Sequence, residues 1–177
     1  MDSELIYTLL TDYDTFTEIA LRLEWAEAAC ESYDLSPRYP IGCMVQVIRF
    51  RAGDMQAHFA ERFVQAVLMR IADSNEWQPD FWQIPIEERR ECLTKGEQLY
   101  RNELSYREVR LQPVSGQALW ERIQGDAGER VRALPHDLRG LIVQGQSIEL
   151  GGTWELDHDV MTVTSDALIF TNYGIWD

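Results

Sequence analysis

The clearest helical pattern in this chain lies at residues 54–74, DMQAHFAERFVQAVLMRIADS. Its apolar side chains cover well over half of the helix circumference, which is wider than the stripe of a surface helix. We therefore predict a central, mostly buried helix. Gly53 would break the preceding element and Asp54 would cap the first turn. The apolar positions are Met55, Phe59, Ala60, Phe63, Val64, Ala66, Val67, Leu68 and Ile71.

A second helix is predicted nearer the N-terminus. Thr15 and Glu18 have the spacing of a capping box just before an apolar periodic run, and the pattern continues to about Tyr33. Its core face would consist of Phe16, Ile19, Ala20, Leu23, Ala26, Cys30 and Tyr33.

The rest of this predicted helix combines acidic and apolar side chains. Glu24, Glu27 and Glu31 lie beside the core face, and Leu21 and Trp25 form a thin apolar strip on the far side. An exposed tryptophan beside a row of glutamates is typical of an interaction surface. The alternative is that Trp25 packs under a loop, as tryptophan usually does.

Between these helices, residues 41–51 are rich in β-branched side chains and are bounded by Pro40 and Gly53. This favours a strand, although the apolar spacing also fits a helix. Residues 4–10 are apolar enough for a short strand or the first turn of a helix, and the pattern does not decide between them.

After the central helix, residues 75–85 form a predicted loop that carries Trp77, Phe81 and Trp82 between two prolines. These aromatic side chains would either plug the edge of the core or line a ligand pocket. Residues 86–106 have a narrow apolar stripe and many charged pairs, which predicts a surface helix.

From Leu141 onward the period changes to short β-rich runs separated by turn residues. The separators are Gly151 with Gly152, residues 157–159, and Ser165 with Asp166. This predicts an antiparallel meander of three or four strands, whose core candidates are Trp154, Leu156, Met161, Val163, Leu168 and Phe170.

Together these elements predict one α+β domain over residues 1–177. Its helical N-terminal two-thirds would surround the central buried helix and pack against the C-terminal antiparallel β-meander. No repeat or linker interrupts the chain.

The charge balance limits the partners. With 16 basic and 30 acidic residues the net charge is -14, which repels nucleic acid and anionic membrane surfaces. Residues 1–34 hold nine acidic side chains against Arg22 alone, so the N-terminal region is the acidic pole. This favours a basic protein as the partner.

Cysteine use and the N-terminus indicate a compartment. Cys30, Cys43 and Cys92 show no pairing pattern, which is typical of thiols in a reducing environment. The chain shows neither a signal-peptide pattern nor a long apolar run, so we expect a soluble cytoplasmic protein.

One set of side chains could bind a metal. His58 and Glu61 share a polar stripe of the central helix with Asp54 and Gln65, and His158 lies in the predicted turn at residues 157–159. Converging nitrogen and oxygen donors are what such a site requires. The simpler interpretation is a solvated helix side and an acidic hairpin tip.

No nucleophile motif or phosphate-binding loop occurs, so we assign no catalytic residue and no cofactor and favour a non-enzymatic role. The function we predict is an acidic cytoplasmic interaction module that binds a basic partner, as an inhibitor, an immunity-like protein or a chaperone does. The alternatives are a small metal-binding protein or metal-dependent hydrolase that uses His58, Glu61 and His158, and a small-ligand carrier with Trp77, Phe81 and Trp82 in its pocket.

Overall fold

A computed structural model of the chain describes residues 3–74, 111–150 and 157–175. The helices are α1 (Ser3–Thr11), α2 (Tyr13–Arg22), α3 (Asp54–Ala57), α4 (Phe59–Ser74), α5 (Gly116–Ala127), a 3₁₀-helix (Gly128–Ala133) and α6 (Leu138–Gln144). The strands are β1 (Ala29–Asp34), β2 (Ile41–Arg49), β3 (Gln112–Val114), β4 (Gln146–Glu149), β5 (Asp157–Val163) and β6 (Ala167–Ile175).

The strands form one antiparallel sheet in the order β1-β2-β6-β5-β4-β3. Strands β4, β5 and β6 are consecutive in the chain and neighbours in the sheet, so the predicted C-terminal meander is confirmed for these three strands, while β3 comes from before α5 and pairs with β4 at the sheet edge. The hairpin of β1 and β2 joins it because β2 pairs with β6 over its whole length, from Ile41 opposite Ile175 to Arg49 opposite Ala167.

Both faces of this sheet are covered by helices. Successive strand residues point to opposite faces, so on β6 Leu168 and Phe170 enter one core while Ile169 and Tyr173 enter the other. Helices α1, α2 and α4 pack on the first face, and α5 and α6 pack on the second. The result is a mixed α+β fold with the sheet as the middle layer.

The central helix is buried as predicted, but it begins and continues differently. Gly53 is the N-cap in the left-handed region at φ 79°, and no side chain caps the helix. Asp54 is instead paired with Arg62. His58, at φ -133° and ψ 49°, interrupts the helix and separates α3 from α4.

The predicted helix over residues 15–33 is wrong in its second half. Helix α2 ends at Arg22, and residues 29–34 form β1, which pairs with β2 from Ala29 opposite Arg49 to Asp34 opposite Met44. Local helix propensity is a weak preference that such long-range pairing overrides. Leu21 is only 7% exposed and belongs to the first core, so the predicted exposed strip does not exist.

Of the other predicted elements, some are confirmed and others are wrong. Residues 41–51 do form a strand, β2, and residues 4–10 belong to a helix, α1. The predicted turn at residues 157–159 is wrong, because these residues open β5. Helix α6 also occupies residues that the pattern assigned to a strand after Leu141. The N-terminal two-thirds is therefore not wholly helical, since it supplies β1 and β2.

Four of the predicted meander core residues, Met161, Val163, Leu168 and Phe170, are buried. The other two, Trp154 and Leu156, lie outside the described residues, as do the predicted loop at 75–85 and the predicted helix at 86–106.

Candidate functional site

A cleft of about 410 Å³ opens beside the start of the central helix. One wall is the last turn of α2 with the two residues that follow it, and the other is the junction of α3 and α4. We call it the acidic cleft. Its lining residues are Glu18, Ile19, Arg22, Leu23, Glu24, His58, Glu61 and Arg62.

Helix α2 is held at its start by a strong cap. The Asp12 carboxylate accepts hydrogen bonds from the Thr15 hydroxyl at 2.7 Å and from the backbone N–H groups of Asp14 and Thr15 at 3.1 and 3.3 Å. These bonds stabilise the ionised form, those from Thr15 most, and so lower the pKa of Asp12. The cap fixes the helix that presents Glu18 and Arg22 to the cleft.

The break at His58 shapes the opposite wall. Because His58 leaves the helical conformation, α4 starts anew at Phe59, and Glu61 falls in its first turn. His58 is exposed, and both side chains border the cleft.

A buried guanidinium forms part of the cleft wall. Arg62 is only 8% exposed. Its Nε donates to Asp54 Oδ2 at 2.6 Å, and its Nη1 donates to the Glu24 carbonyl at 2.8 Å and to Gln65 Oε1 at 3.0 Å. The charge of Arg62 is therefore matched by Asp54 and is not available to the other acids of the cleft.

The three glutamates of the cleft remain without such partners. Glu18, Glu24 and Glu61 make no ion pair and no side-chain hydrogen bond with any other residue in the described ranges. With the Arg62–Asp54 pair neutral, Arg22 is the one further cation among the described lining residues, so these residues carry two negative charges in excess.

The residues predicted to form one acidic helix face lie on separate elements. Glu24 alone of that set lines the cleft, and Trp25 packs half-buried against the first core. Glu27 is exposed and pairs with Arg51 at 2.8 Å. Glu31 lies on β1, where its carboxylate accepts a hydrogen bond from Tyr33.

Of the three residues in the metal hypothesis, His58 and Glu61 line this cleft. His158 lies on β5 opposite Tyr173 in the strand register. Nearby Asp159 is buried and accepts a hydrogen bond from Asn172 at 2.8 Å, so it does not form an acidic hairpin tip. Across the described residues, no group of three or more histidine, cysteine, aspartate or glutamate side chains could hold a metal ion.

Neither described cysteine is in a disulfide bond. Burial raises the pKa of the Cys43 thiol to about 12, so this thiol stays protonated at neutral pH and is a poor nucleophile. Cys30 is exposed on β1.

A second cleft of about 420 Å³ lies between Gln56 of α3, the end of α6 and the turn between β5 and β6. We call it the neutral cleft, because none of the described residues that line it is charged. Its lining residues are Gln56, Leu141, Gln144, Gly145, Gln146, Val163, Thr164 and Ser165.

No family model matches the chain, and neither the curated proteins nor the solved structures gave a match. Among the described helices, none combines the length and the apolar composition needed to cross a membrane.

Sequence reasoning did not place Glu18 beside this cleft and did not identify Arg62 and Gln65 as buried polar residues. The sequence does contain a signal that Arg62 and Gln65 are buried. Both lie in the helix with the widest apolar arc of the chain, where a polar side chain has to find a partner inside the fold.

Proposed function

We propose that the protein is a cytoplasmic interaction module that binds a basic partner protein, and that the acidic cleft receives a basic side chain of that partner. One observation carries this proposal: Glu18, Glu24 and Glu61 converge on one cleft and make no ion pair with the described residues. An inhibitor, an immunity-like protein or a chaperone would use such a surface.

The cleft suits a basic side chain in shape as well as in charge. Its walls combine carboxylates with the apolar side chains of Ile19 and Leu23. Lysine and arginine place an apolar stem behind a charged group, so both parts would find a complementary wall. The net charge of -14 adds a long-range attraction that speeds association.

The test is a calorimetric titration with a short peptide of alternating glycine and arginine, at low and high salt. The variant E18Q/E24Q/E61Q removes the three carboxylates while keeping the shape of the side chains. We expect about tenfold weaker binding at low salt, because three exposed charge pairs of about 0.5 kcal/mol each add up to roughly 1.4 kcal/mol.

The matched control is D14N/E121Q/E129Q, which removes the same number of charges from exposed positions outside the cleft. It should retain most of the wild-type affinity. Equal losses in the two variants would show that the peptide responds to net charge alone and would refute the assignment to this cleft.

A further inference from the structure

The segment 23–28, which we call the strap, joins α2 to β1 without regular secondary structure. Its exposed side chains are Glu24 and Glu27, while Leu23 is buried and Trp25 is half-buried against the first core. A strap of this kind needs partners for its backbone, since an unpaired polar group in a part-buried segment is costly.

Gln65 of α4 supplies those partners. The side chain is fully buried at 0% exposure. Its Oε1 accepts from the Ala26 N–H at 3.1 Å, and its Nε2 donates to the Ala26 carbonyl at 2.7 Å. One amide side chain thus satisfies both backbone groups of Ala26, as a neighbouring strand would.

Arg62 adds a second attachment one turn earlier. It donates to the Glu24 carbonyl and to the same Gln65 Oε1 that accepts from Ala26. The strap is therefore tied to α4 at Glu24 and Ala26, and the ties share one buried network that Asp54 completes.

From this geometry we infer that Arg62 and Gln65 are positioning residues that hold Glu24 at the acidic cleft, and that filling the cleft and ordering the strap reinforce each other. The inference rests on the proposed function. Arg62 contacts the strap and also lines the cleft. Linkage requires that if an ordered strap raises affinity for a basic group, that group stabilises the strap by the same factor.

Hydrogen exchange at the Ala26 amide tests the attachment without any ligand. In Q65L this amide should exchange about fivefold faster, as expected for the loss of one hydrogen bond, while strand amides such as those of Val45 and Thr171 keep their rates. Q65E is the second variant, because it retains the acceptor for the Ala26 N–H and loses only the donor to the carbonyl. The exposed Q117L is the matched control.

The glycine–arginine peptide tests the coupling. Q65L should bind it about threefold more weakly than the wild type, the same loss expected for E24Q, because a strap that Gln65 no longer holds does not keep Glu24 at the cleft and one exposed charge contact is lost. The peptide should also slow exchange at Ala26 in the wild type. Unchanged exchange at Ala26 in both Gln65 variants, or faster exchange with unchanged affinity, would overturn the inference.

A global loss of stability in Q65L would instead speed exchange at every amide together. Q65E then decides, because it keeps the acceptor for the Ala26 N–H: slower exchange at Ala26 in Q65E than in Q65L, relative to the strand amides, supports the attachment, and equal relative rates in the two variants overturn it. If the wild type does not bind the peptide, the proposed function and the coupling fail together. Loss of Ala26 protection would still establish the attachment of the strap.

Discussion

Two clefts of nearly equal volume, about 410 and 420 Å³, flank the start of the central helix and differ mainly in charge. The acidic cleft holds three glutamates that make no ion pair with the described residues. The neutral cleft holds glutamines and hydroxyl side chains instead. The two clefts are therefore alike in volume and are distinguished by their charged groups, on which the proposed function rests.

The clefts also differ in how their polar groups are used. In the neutral cleft, the Thr164 hydroxyl donates to the Ala167 carbonyl and accepts from the Ala167 N–H at 2.9 Å, so it serves the turn between β5 and β6. In the acidic cleft, Arg62 makes the side-chain hydrogen bonds, whereas the carboxylates of Glu18, Glu24 and Glu61 make none with the described residues. The first arrangement stabilises the fold, whereas the second is the one that the proposed function requires.

The largest expected effect is on stability, and it comes from the buried network of Arg62, Asp54 and Gln65 beside the acidic cleft. R62A would leave Asp54, whose side chain is 22% exposed, and the buried Gln65 without their shared donor. We expect the free energy of unfolding to fall by about 3 kcal/mol, the lower end of the cost of breaking a buried pair. Denaturant unfolding monitored by tryptophan fluorescence measures it.

The matched control is R51A. Arg51 and Glu27 also form an arginine–carboxylate ion pair, but their side chains are 80% and 79% exposed. Removing this pair should therefore change the free energy of unfolding too little to resolve. Similar losses in R62A and R51A would mean that the network beneath the cleft contributes no more than a surface pair.

A smaller change, in the affinity for the peptide, is expected when the three negative charges are moved from the acidic cleft to the neutral cleft. Adding Q56E/Q144E/Q146E to E18Q/E24Q/E61Q restores the wild-type net charge and places three carboxylates at the neutral cleft. We expect this variant to recover less than about threefold of the lost peptide affinity, because the proposed binding depends on the arrangement of Glu18, Glu24 and Glu61 around one cleft and not on the net charge. Titration with the glycine–arginine peptide measures the recovery.

Full recovery of wild-type affinity in that variant would contradict the comparison. It would show that any three carboxylates around a cleft of this volume serve equally well.

The sequence predicted the elements in which local pattern and tertiary packing agree. Helix α4 and strands β2, β5 and β6 have strong periodicity, and most of their described apolar residues are buried or half-buried. The strap was missed because its alanines and glutamates favour a helix locally, whereas the amide of Gln65 holds its backbone from a distance of 39 residues in the chain.

The site was predicted in parts. The acidity of the N-terminal region was identified from the sequence. Glu24 belonged to the interaction hypothesis, whereas His58 and Glu61 belonged to the metal hypothesis, so these residues were treated as unrelated. Their convergence depends on how α2 packs against α4, which is a long-range contact that no local spacing encodes. The start of β5 was mistaken for a turn because the residues at 157–159 are polar, although Asp159 is buried and accepts a hydrogen bond from Asn172.

The most direct measurement of the central claim is a map of backbone amide shifts in isotope-labelled wild-type protein on addition of the glycine–arginine peptide at low salt. We expect the largest shifts at Glu18, Arg22, Glu24 and Glu61, with the amides of Gln144, Gln146 and Ser165 unchanged. Shifts spread evenly over the acidic surface, or centred on the neutral cleft, would contradict the claim that the acidic cleft is the binding site.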